Sequence, residues 1–435
     1  LALLADGDLA RAFAWRNGET LTAGDFLAEV MALAAALPAA SYAINLCEDR
    51  YRFLVMFCAV AIAGQTNLLP ASRAPQAIAE VMQAFANCYV ASERELDPAP
   101  ARFFRIPEFC SNVEKLAFNP RIALDQVVAI GFTSGSTGAP KANPKTWGAL
   151  CASSELNAQL LRSKTAMPNV VATVPPQHMY GLELSVLLPL RSSAAIHVGH
   201  PFFPADIAHA LTELPAPRVL VTTPFHLRAL MQEDTPLPSL EAIVSATAPL
   251  DAALATLAEQ RHATKVIEVF GSTETCVIAH RRTATDAAWQ LYPGIDLQPQ
   301  PDGTLVSAPH FAEPIALQDI VELLPARHFA LRGRNSDLLE IAGKRASLAD
   351  LTCRLLAVPG VIDAVVFQLD ADARGVRRLA ALAVADGVSE REILRALRAA
   401  VDPVFLPRPL RLLSALPRNA AGKLPRAALI AALEV

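Results

Sequence analysis

The stretch "DQVVAIGFTSGSTGAPK" occupies positions 125–141, and the order of its two halves sets the fold. The first half is a short apolar run of strand type. The second half is crowded with glycine and hydroxyl residues and closes on Lys141. A strand that runs straight into a glycine loop suits a parallel α/β layer, because ligands gather at the carboxyl ends of such strands. Gly135 and Gly138 allow several backbone N–H groups to converge on one anion. Thr133, Ser134, Ser136 and Thr137 add hydroxyl donors, and Lys141 adds charge. The Walker loop needs G-x-x-x-x-G-K-[ST]. Here Lys141 follows Gly138 by three residues with Pro140 between, so that spacing is excluded. A phosphate loop of another kind and a plain Ser/Gly turn are the readings left by the loop itself.

Working outward, the chain alternates helical and strand-like segments. "GDFLAEVMALAAAL" (24–37), "YRFLVMFCAVAIAG" (51–64) and "APQAIAEVMQAF" (74–85) predict helices, with "YAINLC" (42–47) and "QTNLLP" (65–70) extended between them. Downstream, "KTWGALCASSELNAQLL" (145–161) predicts a helix. "NVVATVP" (169–175), "RVLVTT" (218–223), "AIVSATAPL" (242–250) and "TKVIEVFGSTE" (264–274) predict strands ending in small-residue turns. From about position 290, Pro and Gly punctuate short strand-like pieces, which predicts a small β subdomain. Beyond it, "SEREILRALRAAV" (389–401) opens on a capping box, Ser389 with Glu392. The expected fold is α/β: a large N-terminal domain of doubly wound sheets plus a small β subdomain, then a small α+β C-terminal domain, which the family resemblance given below implies is mobile. The boundary is placed between 333 and 334, giving domains 1–333 and 334–435.

Composition narrows the function. Of 435 residues, 53% are hydrophobic and 18% charged, enough for a large buried core. The net charge of −4 offers no basic excess for nucleic acid. Seven scattered cysteines without C-x-x-C spacing fit neither a disulfide framework nor a zinc site, and point to a reducing cytoplasm. The opening "LALLADGDLARAF" carries Asp6 and Asp8 and does not read as a signal peptide. The longest apolar run, 53–64, is too short to cross a bilayer, so no membrane span is expected. "HVGH", with His197 and His200, reads as a strand end because no third metal ligand is evident.

Four segments now stand in order: "TSGSTGAPK" (133–141), "FGSTET" (270–275), "LRGRNSDLLEIAGKRASLADL" (331–351) and "LPRNAAGKLPRAAL" (416–429). With "PPQHMYGLELSVLLPL" (175–190) and "SATAPL" (245–250), they span nearly the whole chain. Together they resemble the motifs of the adenylate-forming, or AMP-binding, enzymes: acyl- and aryl-CoA synthetases, peptide-synthetase adenylation domains and luciferases. The chain also resembles the short ligases of aryl-polyene-type pigment pathways, which would imply hydroxybenzoate-type or acyl substrates.

That resemblance implies an enzyme that activates a small-molecule carboxylic acid with ATP and Mg²⁺. The acyl-adenylate then passes to a pantetheine thiol, of coenzyme A or of an acyl carrier protein. By position, Thr133 to Lys141 would wrap the phosphates, with Thr137 also near the metal. Glu274 would hold Mg²⁺, which favours oxygen ligands. Thr273 would touch the α-phosphate or AMP. Ala246, Phe270, Gly271 and Ser272 would border AMP. Asp319 would hold the ribose, and Arg334 would reach the ribose or a phosphate. His178 would stand near the acyl carboxylate, unless it merely caps a helix. Lys423 would bridge carboxylate and α-phosphate, offsetting charge in the transition state. Residues 335–337 would form the hinge, and Gly343 would line the pantetheine tunnel.

The chain departs from the family pattern in places. "ANPKTW" (142–147) follows Lys141 where Gly-Val is usual. Ala246 and Thr247 replace glycines, Phe270 replaces Tyr, and Ser336 replaces a hinge Asp or Lys. Two alternatives remain at this point: a carrier-protein loading ligase that does not use free coenzyme A, and a non-catalytic nucleotide-binding homologue.

Overall fold

The structure, a computed structural model, describes the chain outside residues 71–72, 108–117, 135–139, 164–165, 234, 302, 335–337, 342–343, 370–377, 420–421 and 435. Two compact units emerge. One comprises Leu1–Ile295 and Ala308–Ala312; the other comprises Asp296–Ser307 and Glu313–Val435.

In the first unit a six-stranded sheet runs in the order Phe103–Arg105, Cys88–Ser92, Tyr42–Asn45, Thr66–Leu69, Val127–Ser134, Pro140–Thr146. The pairs are parallel until the last, where Pro140–Thr146 returns antiparallel along Val127–Ser134. The helix expected over 145–161 therefore starts two residues later, at Trp147–Leu161, with the Thr146 hydroxyl accepting from the Ala149 N–H as its cap. The helix Arg50–Ile62 is apolar on every side, and every residue from Phe53 to Ala61 is buried. Such a helix belongs inside a core. Each large side chain it buries contributes roughly 1.5–3 kcal/mol.

The second sheet of this unit has a parallel centre: Ala195–His197, Asn169–Ala172, Arg218–Thr222, Ala242–Ser245 and Lys265–Ser272 in that order. Val171, Leu220, Ile243 and Val266 pack on the helices Pro204–Thr212, Pro224–Gln232 and Ala252–His262. Lys265–Ser272 then turns back as Cys276–Arg281, an antiparallel hairpin. Five of the cysteines, Cys47, Cys58, Cys88, Cys151 and Cys276, are buried and Cys353 is exposed. His197 is paired with Glu213 at 2.9 Å.

The second unit opens with the antiparallel strands Asp296–Gln300, Gly303–Ser307 and Ile315–Leu317, and the ribbon Asp319–Leu324 with His328–Arg334. It continues with the ribbon Leu338–Ile341 and Lys344–Ser347. Its last sheet orders Val361–Gln368, Leu379–Ala385 and Leu410–Leu412, packed with the helices Leu348–Leu356 and Glu390–Ala400. The capping box read from Ser389 and Glu392 is present in both directions. No described helix is long and apolar enough to cross a membrane.

Candidate active site

Two strand ends of the first unit build the site. Val127–Ser134 delivers Gly131 and Thr133, and Lys265–Ser272 delivers the turn that carries Thr273 and Glu274. The Thr133 hydroxyl donates to Glu274 Oε1 at 3.3 Å, joining the phosphate-loop strand to the acidic turn across 141 residues of sequence. Gly131 is required at this crossing, because a Cβ there would lie 2.7 Å from Thr273 Cγ2. Gly271 is required one turn away, where a Cβ would lie 2.1 Å from the Cys276 carbonyl oxygen.

The acidic turn is tied from within. The Ser272 N–H donates to Thr275 Oγ1 at 3.2 Å, the Thr275 N–H donates to Ser272 Oγ at 3.2 Å, and the Thr275 hydroxyl donates to the Cys276 carbonyl at 2.8 Å. Cys276 itself holds φ at 62°, a conformation uncommon for a side chain with a Cβ. Such outliers persist where the surroundings over-determine them.

The "ANPKTW" departure supplies the outer support. Asn143 and Lys145 are both buried, at 8% and 7% exposure, on a strand whose Lys141, Ala142 and Pro144 are exposed. Lys145 Nζ donates to the Glu274 carbonyl. Asn143 Nδ2 donates to Thr133 Oγ1 at 3.3 Å and to the Lys141 carbonyl at 3.1 Å. Neither residue was singled out from the sequence. Burial alternates over 142–145, but the sequence there, with Pro144 inside it and Pro140 before it, does not read as a strand.

The other candidates fall as follows. Gly131, Gln177, His178, Met179 and Thr273 line one recess, so His178 and Thr273 face the same small cavity. His178 is also the N-cap residue of Met179–Leu182, without a side-chain cap bond. Behind it the Tyr180 hydroxyl donates to the carbonyls of Thr222 at 3.1 Å and Val244 at 2.9 Å, spanning adjacent strand ends. Ala246 follows directly on Ala242–Ser245, and Thr247 beside it has φ at 80°, where glycine is the unstrained residue. Phe270 lies 5.4 Å from Trp289, ring to ring. Lys141 is exposed, and the backbone of Ser134 ends its strand. Gly135, Ser136, Thr137, Gly138 and Gly343 lie outside the described residues, as do 335–337.

In the second unit, Asp319 and Arg334 stand directly opposite one another as strand partners. Asp319 is 8% exposed and its carbonyl accepts from the Thr304 hydroxyl at 2.6 Å. Lys423 is exposed on a turn with a defined frame. Its N–H donates to Asn419 Oδ1 at 2.9 Å, and its carbonyl accepts from the Asn419 N–H at 2.8 Å. Arg418 anchors that frame with a bidentate pair to Asp363, at 2.9 and 3.0 Å from Nη2, and donates to the Gly422 carbonyl at 2.8 Å.

Hydroxyl, carboxylate and amide groups at the ends of parallel strands, with a lysine following, form a donor set suited to a nucleotide triphosphate and its magnesium ion. Comparison with known proteins agrees. A family model described as AMP-binding enzyme matches residues 7–305. The 4-coumarate–CoA ligase of Halorhodospira halophila is 30% identical over 299 residues, covering 67% of this chain and 73% of that protein. The 4-coumarate–CoA ligase of Cereibacter sphaeroides is 30% identical over 306 residues, covering 67% and 69%. Among solved structures, O-succinylbenzoate coenzyme A synthetase from Bacillus subtilis, in complex with AMP, superposes with a TM-score of 0.81 at 19% identity, covering 96% of this chain and 95% of that one. The chain belongs to the AMP-binding enzyme family. Within it, the chain is of the acyl- and aryl-CoA synthetase-like class.

Proposed function

We propose that this chain activates a carboxylic acid, aryl or acyl, with ATP and then transfers the acyl group to the thiol of coenzyme A. The observation that carries the reading is the junction of Thr133 with Glu274, braced by Lys145. It puts a hydroxyl and a carboxylate at the mouth of the phosphate loop. The names of the relatives, 4-coumarate–CoA ligases, favour a ring-bearing acid.

In the first half-reaction a carboxylate oxygen attacks the α-phosphorus, the bond to the β-phosphate oxygen breaks, and pyrophosphate leaves. Thr133 to Lys141 hold the departing phosphates, and Thr273 orients the α-phosphate. Glu274 would hold Mg²⁺, which neutralises phosphate charge when bound. Asp319 and Arg334 hold the ribose. Lys423 offsets the charge shared by carboxylate and α-phosphate, a role worth most where water is excluded. In the second half-reaction a thiolate attacks the acyl carbonyl and AMP leaves, with Gly343 lining the path of the pantetheine arm. Segment 334–435 acts as the lid for the two steps.

Pyrophosphate release tests this across a panel of aromatic and aliphatic acids, with and without coenzyme A. Acid-dependent release followed by a coenzyme A thioester is the expected result. Release with no acid in any class would overturn the reading. Acid-dependent AMP formation with no thioester would move the acceptor to a carrier-protein phosphopantetheine.

A further inference from the structure

Glu183 lies inside the apolar segment 178–190 and is fully buried. It begins a π-helical turn, Glu183–Leu187, set between the short helices Met179–Leu182 and Leu188–Arg191. Single π turns concentrate at functional sites. This one is fastened on two sides. Ser185 accepts from the guanidinium of the buried Arg50 and donates to the Gly181 carbonyl at 2.6 Å. Glu183 reaches the acidic hairpin instead.

Its carboxylate collects donors from two elements. Ser153 and Asn157, on the helix Trp147–Leu161, both donate to Oε1, Asn157 at 3.1 Å. The Val277 N–H donates to both oxygens, at 3.2 and 3.0 Å. Asn157 is fixed in turn by the Tyr292 hydroxyl at 2.9 Å. A buried carboxylate is costly unless so satisfied. Burial pushes the Glu183 carboxyl up to about 7, against the downward pull of these donors and of Lys145. An apolar residue would fill the same space without that cost, so the carboxylate calls for a reason.

Val277 supplies one. It pairs with Gly271 where the hairpin register shifts, between Phe270 and Gly271. It also follows Cys276, whose backbone is held left-handed. The strand path is least determined by its own ladder at this point. We infer that Glu183 is a positioning residue for acid activation, fixing the turn that carries Thr273 and Glu274 by gripping the Val277 N–H. The inference rests on the function proposed above for that turn.

The test compares Glu183→Gln, which keeps an acceptor, with Glu183→Met, which removes it. In pyrophosphate release, Glu183→Met is expected to raise KM for MgATP about tenfold, the scale of one lost hydrogen bond to a charged group. KM for the acid stays unchanged, and Glu183→Gln stays near the wild type. Hydrogen exchange of the free protein is expected to accelerate at amides 272–281 in the Met variant and not in the Gln variant. Ser153→Ala, which removes one donor, shifts both readouts the same way by a smaller factor, and decides the matter if the Met variant does not fold. A wild-type KM for MgATP in the Glu183→Met and Ser153→Ala variants, or an equal rise for acid and MgATP with exchange spread through the unit, overturns the inference. An inactive wild type removes the proposed function, while hydrogen exchange still reports whether Glu183 holds the hairpin.

Discussion

Glu274 and Lys423 are charged residues on tight, glycine-containing turns, and they are held in opposite ways. The Glu274 turn is gripped by Thr275 from inside, by Lys145 at its carbonyl, by Thr133 at its carboxylate, and by Glu183 just beyond its end. The Lys423 turn is framed by Asn419 at its backbone and by Arg418, paired with Asp363, and it presents an exposed lysine. The first arrangement is preorganised, as the role proposed for Glu274 in holding Mg²⁺ requires, because misplacement there would be expensive. The second displays a cation on a firm base while leaving its long side chain outside the core. One turn is built to stay still, and the other to offer a charge.

Substitutions can break this contrast. The largest effect is expected from Lys423→Ala. Adenylation falls by about a thousandfold, the scale of a lost transition-state charge. Thioester formation from supplied acyl-adenylate is spared, and a matched loss in both half-reactions would contradict the role. Glu274→Gln comes next, lowering pyrophosphate release by about a hundredfold and raising the Mg²⁺ concentration needed for half-maximal rate. An unchanged magnesium titration would place the metal elsewhere. Asp363→Asn should cost about tenfold in adenylation, because it loosens the frame beneath Lys423 without touching the lysine. Its KM for MgATP should hold, whereas a change confined to KM would make the frame a nucleotide contact.

The smallest effect concerns pH and stability. The raised Glu183 carboxyl stays protonated in the folded chain after its unfolded counterpart has ionised. The folded state thus binds more protons between about pH 4.5 and 7, and stability falls as pH rises through that window. Lys145, Cys276 and Tyr292 are the titratable groups coupled to it. Glu183→Gln should remove this slope, so its thermal midpoint gains on the wild type from pH 5 to pH 8. A constant difference would assign the slope to another group.

Much of this contrast was legible in sequence, and the reasons are physical. Gly131 and Gly271 stand where a Cβ cannot, so glycine marks both crossings directly. The capping box at Ser389 is a local code that needs no tertiary context. Thr247 stands, with Ala246, where the family resemblance implies glycine, and its backbone is left-handed. The return strand Pro140–Thr146 was not legible. Pro140, Asn143, Pro144 and Lys145 disfavour strands, and only pairing with Val127–Ser134 makes one. That strand ends the sheet order, the position where proline is tolerated. Glu183 was passed over within an apolar motif, although a lone acid in such a run is itself a sign of a buried network.

The return strand also sets what kinds of change the segment between residues 134 and 140 can absorb. Thr133 pairs with Lys141 and Ser134 with Pro140, so both ends of the 135–139 segment are clamped together by the sheet. Residues exchanged or added inside those clamps leave the register behind them intact. One residue added between 142 and 146 would instead invert the strand's faces, turning Asn143 and Lys145 outward and releasing the Glu274 carbonyl. The loop is thus a replaceable cassette in a fixed socket. A graft from a relative should be cut at 134 and 140, with the six residues after it kept as part of the socket.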